Sequence, residues 1–282
     1  MVKRSLTAIV LIACMVGIFF LRELSAYVFD GFLFVVIAGA MYEISSAFKK
    51  ADITVNKICL VIYFVLFGVG YYLLSIEGVA YAIILGLIST LIFFTFTKEF
   101  GLKELGATTV TMLYPSILLY FAFEINHLVN GLLVILLVLL VAIFTDTFAY
   151  FVGSLIKGKK LCPTISPKKT ISGAIGGLIG GMLGAILIYL LFEVWNVFGV
   201  QVNVLGFDSS ISIFVYLILG FIGAFADEVG DLVASQIKRK AGIKDFGNIF
   251  PGHGGIMDRI DGISFVVVII PLCIKLLSVI IL

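Results

Sequence analysis

Residues 128–151, LVNGLLVILLVLLVAIFTDTFAYF, run for eighteen positions before the first charge, Asp146. A helix spanning the hydrocarbon of a bilayer needs about 20 largely apolar residues, and an uncharged run of this length reads as such a span. Comparable runs lie on both sides, at 6–21, 24–42, 57–75, 79–97, 108–125, 171–193, 211–235 and 262–282, which makes nine. The whole chain agrees: 62% of its 282 residues are hydrophobic and 13% are charged, against about 25% charged in ordinary soluble domains. Mean hydropathy is +1.23. A water-soluble globular protein, a disordered chain, a collagen and a coiled coil are all excluded. The formal net charge of +2 leaves no general basic surface, so nucleic acid is not an expected partner. The sequence therefore predicts an all-α polytopic membrane helix bundle of about nine transmembrane helices. It reads as one integral-membrane domain, 1–282, with 1–127 mainly scaffold and 128–282 carrying the polar motifs. The first run follows Met1-Val2-Lys3-Arg4 and is read as a retained helix, because another apolar span follows almost at once. Cys14, Cys59, Cys162 and Cys273 have no paired spacing and read as small membrane hydrophobes.

Orientation follows from Lys and Arg. Seventeen of the nineteen fall in the N-terminal segment and in the connections after the second, fourth, sixth and eighth runs. Positive charge stays on the cytoplasmic side, so the N-terminus is expected in the cytoplasm and the C-terminus outside. The two richest cytoplasmic segments, 152–170 and 236–261, are also the only long polar stretches, and chemistry belongs there.

The eighth run ends in Asp227-Glu228-Val229-Gly230-Asp231. A carboxylate at membrane depth costs about 2.5–3.5 kcal/mol on insertion scales and is kept where it faces a cavity, a cation or a partner. Asp227 and Asp231, four apart, share a helix face at the negative end of the helix dipole. Neutralisation by Lys238 and Arg239 is the plainer alternative. Asp258-Arg259-Ile260-Asp261 places two more acids three apart, a pattern that serves helix capping as readily as metal binding. Between the clusters lies Lys244-Asp245-Phe246-Gly247-Asn248-Ile249-Phe250-Pro251-Gly252-His253-Gly254-Gly255, whose glycines let backbone N–H groups close on an anion. His253 is expected to contact phosphate rather than act as a general base. Mg2+ favours one or two carboxylates together with substrate phosphates, which two acidic clusters on one side of the membrane could provide.

In the other loop, Ser166-Pro167-Lys168-Lys169-Thr170-Ile171-Ser172-Gly173 leads into the seventh run. Its helix N-terminus faces the cytoplasm as an anion site beside two lysines, with Thr170 or Ser172 as N-cap. A P-loop over Gly153–Lys160 fails, since it follows a membrane helix and Lys160 replaces the Ser/Thr that would hold Mg2+. Glycines 173, 176, 177, 180, 181 and 184 give small-x-x-x-small spacing suited to close helix packing. Asp146 is a third acid at membrane depth. Together these features describe a site for phosphate groups at a lipid interface, and phosphoryl or nucleotidyl transfer is the reaction class.

Over 27 positions, Ser235-x-Ile237-Lys238-Arg239-x4-Lys244-Asp245-x-Gly247-x2-Phe250-Pro251-x-His253-Gly254-Gly255-Ile256-x-Asp258-Arg259-Ile260-Asp261 resembles the signature of the phosphatidate cytidylyltransferases, or CDP-diacylglycerol synthases. Gly230-Asp231-Leu232, Ser166–Thr170 and Asp146-x-x-Ala149-Tyr150 are similar to family patterns too, so the resemblance covers the C-terminal half. Asp227 and Glu228 lie outside the pattern. The resemblance implies transfer of a cytidylyl group from CTP to phosphatidate in the cytoplasmic leaflet of the cell membrane, yielding CDP-diacylglycerol and pyrophosphate. It implies Mg2+, with room for a second cation, held by Asp231, Asp258 and Asp261. Lys244 joins these acids as a catalytic candidate. CTP would be held by Ser166, Lys168, Lys169, Thr170 and Asp146, and phosphatidate by Lys238, Arg239, His253 and Arg259. A homodimer stays open. A polyprenol kinase, a cytidylyltransferase for another lipid, a CDP-alcohol phosphotransferase and a cation-coupled transporter are the alternatives. A transporter would place its acids near the midplane in two related halves.

Overall fold

A computed structural model of the chain describes residues 2–197, 205–207 and 209–281. Its helices are α1 (Val2–Leu24), α2 (Ala26–Lys50), α3 (Lys57–Phe96), α4 (Leu102–Asn126), α5 (Gly131–Ile156), α6 (Ile171–Tyr189), α7 (Ser209–Lys240), the short α8 (Met257–Ile260) and α9 (Ile263–Ile281). A π-helical turn, Leu190–Val194, extends α6. Among the described residues, seven helical segments are long and apolar enough to cross a membrane. The protein is an all-α, multi-pass membrane protein. Large apolar side chains face outward, Phe96 at 83% exposure and Leu155 at 79%, while Glu43, Asp227 and Lys238 are buried. This inversion of the soluble pattern is expected when the surrounding solvent is hydrocarbon.

The two runs at 57–75 and 79–97 form the single element α3, with a break at Ser75 (φ 52°, ψ −129°). Eight residues of straight helix would separate Gly70 from Gly78 by about 12 Å. Instead a Cβ on Gly70 would lie 2.6 Å from the Gly78 carbonyl oxygen, so α3 folds back on itself at Ser75. The loop 157–170 holds an element the periodicity did not anticipate. Strands β1 (Lys160–Cys162) and β2 (Ser166–Thr170) pair antiparallel, Lys160 opposite Thr170 and Cys162 opposite Ser166.

The chain divides into two compact units, Met1–Leu119 with Ile237–Arg259, and Tyr120–Gln236 with Ile260–Leu282. In the first, Asn56 caps α3, its Oδ1 accepting from the Ile58 and Cys59 amides at 2.9 and 3.1 Å. The buried hydroxyls of Tyr63 and Ser116 pair at 2.6 Å and tie α3 to α4. Phe34 meets Phe64, Phe67 and Tyr71 edge-on.

In the second unit the glycine stripe of α6 is its packing surface, as its spacing suggests. Cβ atoms on Gly176, Gly180 and Gly184 would meet the carbonyl oxygens of Phe148, Phe144 and Leu140 on α5 at 3.0, 2.5 and 2.6 Å. One on Gly181 would sit 2.5 Å from Ala224 of α7. In lipid, helices gain little from apolar burial against one another, so close backbone approach supplies the attraction. Gly180→Val is therefore expected to lower the thermal unfolding temperature in detergent, by overpacking worth about 1–3 kcal/mol. A melt coincident with the wild type would show that α5 and α6 are not in tight contact.

Candidate functional site

Thr170 ends β2 and begins α6. Its Oγ1 accepts from the Gly173 amide at 3.0 Å, so of the two expected caps Thr170 takes the role. Ser172 instead donates to the Lys157 carbonyl, pinning the helix start to the end of α5. Side chains alternate along a strand, and β2 turns Lys168 outward and Lys169 inward. Lys169 Nζ reaches Asp231 Oδ2 of α7 at 2.6 Å, and Ser235 donates to the other oxygen, Oδ1, at 3.2 Å.

Further acids gather around that pair. Asp146 of α5 and Glu228 of α7 act on Lys169 electrostatically. Asp227 lies within electrostatic reach of Asp146, Lys169, Asp261 and Asp231. Two glycines make this density of charge sterically feasible. A Cβ on Gly230 would lie 2.6 Å from the Asp261 carbonyl oxygen, and one on Gly262 would strike the Asp227 carboxylate. Asp227 and Glu228, absent from the signature, thus stand in the same acidic group as Asp231 and Asp261. Glu228 Oε1 is buried and accepts no hydrogen bond. Burial alone would depress the Lys169 ammonium. The charge of Asp231 and its hydrogen bond, with Glu228 and Asp146 behind it, outweigh this and hold it above the ordinary lysine value. A group raised in the folded state stabilises fully below its free pKa and loses that contribution only as pH rises through the folded one. The ion-pair contribution that Lys169→Met removes, read from thermal unfolding, is accordingly expected to be lost through Lys169's own deprotonation only above about pH 10.

The first unit builds a second site from residues 237–259. Asp258 is buried and its carboxylate is held by three donors: Oδ1 accepts from Lys238 Nζ at 2.8 Å, and Oδ2 from the amides of Phe246 at 2.8 Å and Gly255 at 3.0 Å. Lys238 Nζ also stands 5.3 Å from the centre of the Phe246 ring. Arg239 donates to the Ile243 carbonyl at 3.1 Å. These bonds fold the signature back on itself, and the Phe250 amide donates to the Gly254 carbonyl at 2.9 Å to close its tip. Gly252 and Gly254 hold φ of 79° and 80°, a conformation side chains other than glycine rarely adopt. The result is a polar cavity of about 360 Å³, lined among others by Lys244, His253 and Arg259. His253 Nδ1 is buried and has no hydrogen-bond partner.

Of the residues expected to hold phosphatidate, His253 and Arg259 line this cavity, as does the catalytic candidate Lys244. Lys238 and Arg239 are instead engaged in holding the loop. Of those expected to hold CTP, Lys169 and Asp146 join the acidic group, Thr170 is committed to its cap, and Ser166 and Lys168 lie on β2. Asp231 and Asp261 belong to the second unit and Asp258 to the first. Glu43 of α2 is a residue that sequence reasoning passed over. Its carboxylate accepts from the amides of Ile256 at 3.0 Å and Met257 at 2.8 Å.

Residues 2–277 match the model of the cytidylyltransferase family. The chain belongs to the cytidylyltransferase family. Within curated proteins, this cytidylyltransferase-family chain is similar to the phosphatidate cytidylyltransferase of Bacillus subtilis (strain 168), 33% identical over 187 residues and covering 64% of each chain. It is similar also to those of Staphylococcus aureus (strain COL), 34% over 173 residues, covering 60% of this chain and 58% of that one, and of Staphylococcus haemolyticus (strain JCSC1435), 39% over 137 residues, covering 49% and 47%. The matches span less than two thirds of these relatives' lengths.

Proposed function

We propose that the protein transfers the cytidylyl group of CTP to phosphatidate, releasing pyrophosphate and leaving CDP-diacylglycerol in the membrane. The observation that carries this reading is the meeting of Lys169 and Asp231 at the start of α6, with Asp146, Asp227, Glu228 and Asp261 around them. A helix N-terminus and a lysine suit a polyphosphate, and an excess of acids over cations suits a hard metal ion between them. Membership of the cytidylyltransferase family and the similarity to proteins named phosphatidate cytidylyltransferase support the choice of nucleotide and lipid.

The donor set fits Mg2+. It consists of hard carboxylate oxygens, and one of them, Glu228 Oε1, is buried without a partner. Among the described residues no three His, Cys, Asp or Glu side chains form a metal cage. Mg2+ rarely needs one, because it uses one or two carboxylates and completes its shell with water and substrate phosphates. Asp231 and Asp261 would hold the ion, with Glu228 in reserve for a second cation, and it supplies neutralisation of the triphosphate charge.

The lipid phosphate is anionic near neutral pH, so it needs no strong base to attack the α-phosphorus. A bond forms between a phosphatidate oxygen and that phosphorus, the α–β bridging bond breaks, and pyrophosphate leaves. Lys168, Lys169 and the first amides of α6 would hold the triphosphate. Lys244, His253 and Arg259 would hold the phosphatidate head group, with its acyl chains in the cytoplasmic leaflet. The bundle would cross the membrane nine times, as α1, α2, both arms of α3, α4, α5, α6, α7 and α9, starting in the cytoplasm. The charge asymmetry supports that orientation.

Purified protein in detergent, given labelled CTP, phosphatidate and Mg2+, is expected to form a chloroform-soluble nucleotide. No product with phosphatidate, but product with a polyprenol, would overturn the assignment.

A further inference from the structure

The N-terminal helices read as scaffold, yet one of them reaches the signature loop. Glu43 lies seven residues before the end of α2, is 2% exposed, and sits far in sequence from everything it touches. Its Oε1 accepts from the Ile256 amide and its Oε2 from the Met257 amide, so both oxygens are used on consecutive backbone groups. Met257 opens α8, and the next residue is Asp258. The fit is tight on the other sides too. A Cβ on either Gly247 or Gly255 would collide with the Glu43 carboxylate, so both flanks of the loop give up side chains to admit it. On the same helix, a Cβ on Gly39 would collide with Ile256.

A buried carboxylate is costly at membrane depth unless its oxygens are satisfied. Packing alone would be served by a leucine. A carboxylate here does what leucine cannot: it fixes two adjacent amides and, through them, the rotation of the backbone leading into Asp258. Asp258 then takes the Gly255 and Phe246 amides and Lys238. Both ends of the segment that presents Lys244, His253 and Arg259 to the cavity are thereby pinned.

We propose that Glu43 is a positioning residue for this cavity: it sets the shape in which the signature loop receives the anionic head group, without touching substrate. The assignment rests on the reading of the cavity as the phosphatidate phosphate site. It predicts an effect on one substrate. In Glu43→Gln the side chain keeps its size and one accepting oxygen, but its amide nitrogen faces one of the two N–H donors.

The test measures KM and kcat for both substrates in the wild type, Glu43→Gln and Glu43→Asp, together with thermal unfolding and hydrogen exchange at the Ile256 and Met257 amides. For Glu43→Gln the expected result is a KM for phosphatidate raised about tenfold. KM for CTP is unchanged, the melting temperature is near the wild type, and exchange at the two amides is faster. Glu43→Asp, which keeps the charge but falls one methylene short, gives a smaller rise in the same KM and carries the test if the Gln variant does not accumulate. Wild-type exchange and wild-type KM overturn the proposal. So does a joint fall in kcat and melting temperature with both KM values unchanged, which is the mark of a purely structural residue. If the wild type does not use phosphatidate at all, the reading of the activity fails instead, and exchange at the two amides still decides whether Glu43 holds the loop.

Discussion

Asp231→Asn is expected to reduce turnover by about 10³-fold while leaving the protein folded and membrane-inserted, because several kcal/mol of charge stabilisation leave with one negative charge. The substitution is nearly isosteric. An asparagine keeps an oxygen for Ser235 and retains the packing around Gly230, and Lys169 keeps Glu228 and Asp146 as electrostatic neighbours. What it removes is the carboxylate proposed to share Lys169 and the metal ion. Transfer of labelled cytidine to the chloroform phase reads the loss, and elution as a single species in detergent reads the fold. A well-folded variant within about threefold of the wild type would remove Asp231 from the metal site, since charge neutralisation is the main work of such a reaction. Ser235→Ala should cost far less, at most about tenfold, because it deletes only a neutral hydrogen bond to the carboxylate.

How far the sequence reaches depends on whether a contact is local or long-range. The apolar runs are composition, and helices stand where they lie, although seven described segments, not nine, are long and apolar enough to cross a membrane. The Thr170 cap and the α6 glycine stripe are short-period patterns and carry their own explanation. The break in α3 is also visible as Ser75-Ile76-Glu77-Gly78, a polar interruption between two apolar runs. The β1–β2 hairpin is not, because its two strands are short and its register shifts between Lys160 and Cys162, leaving no clean alternation to detect. The site divides in the same way. The signature 235–261 identifies a family, but which of its charges meet substrate and which meet each other is decided by pairing. Lys238 looks like a phosphate ligand by type and is spent on Asp258. Asp227 and Glu228 look expendable by motif, yet the close approach at Gly262 brings Asp227 into the acidic group, and Gly177 of α6 makes room for the Glu228 carboxylate beside it. Glu43 was beyond reach, because its partners lie 213 and 214 residues away. The one local signal is a carboxylate directly after the apolar run 24–42, at a depth whose cost calls for a reason.

The largest loss of stability is expected from Asp258→Ala. The Asp258 side chain is 4% exposed and that of Lys238 is 10% exposed. Deleting one member of a buried ion pair leaves the other uncompensated, at about 3–5 kcal/mol, and here the two amides of Phe246 and Gly255 lose their acceptor as well. Lys238→Met removes the other partner and is expected to cost less. The remaining carboxylate keeps both N–H donors, and the methionine retains the stem against Phe246, so only the charge pair is lost. That inequality distinguishes two roles for Asp258. A residue that chiefly pins the loop gives Asp258→Ala a much lower melting temperature than Lys238→Met, with early protease cleavage within 244–256. If Asp258 spends its charge on a metal ion instead, both variants should melt close to the wild type when no metal is present, and Asp258→Asn should lose activity as steeply as Asp231→Asn. Thermal unfolding in chelator, compared with turnover in Mg2+, separates the two, because the loop's hydrogen bonds do not depend on the ion and a ligand's contribution does.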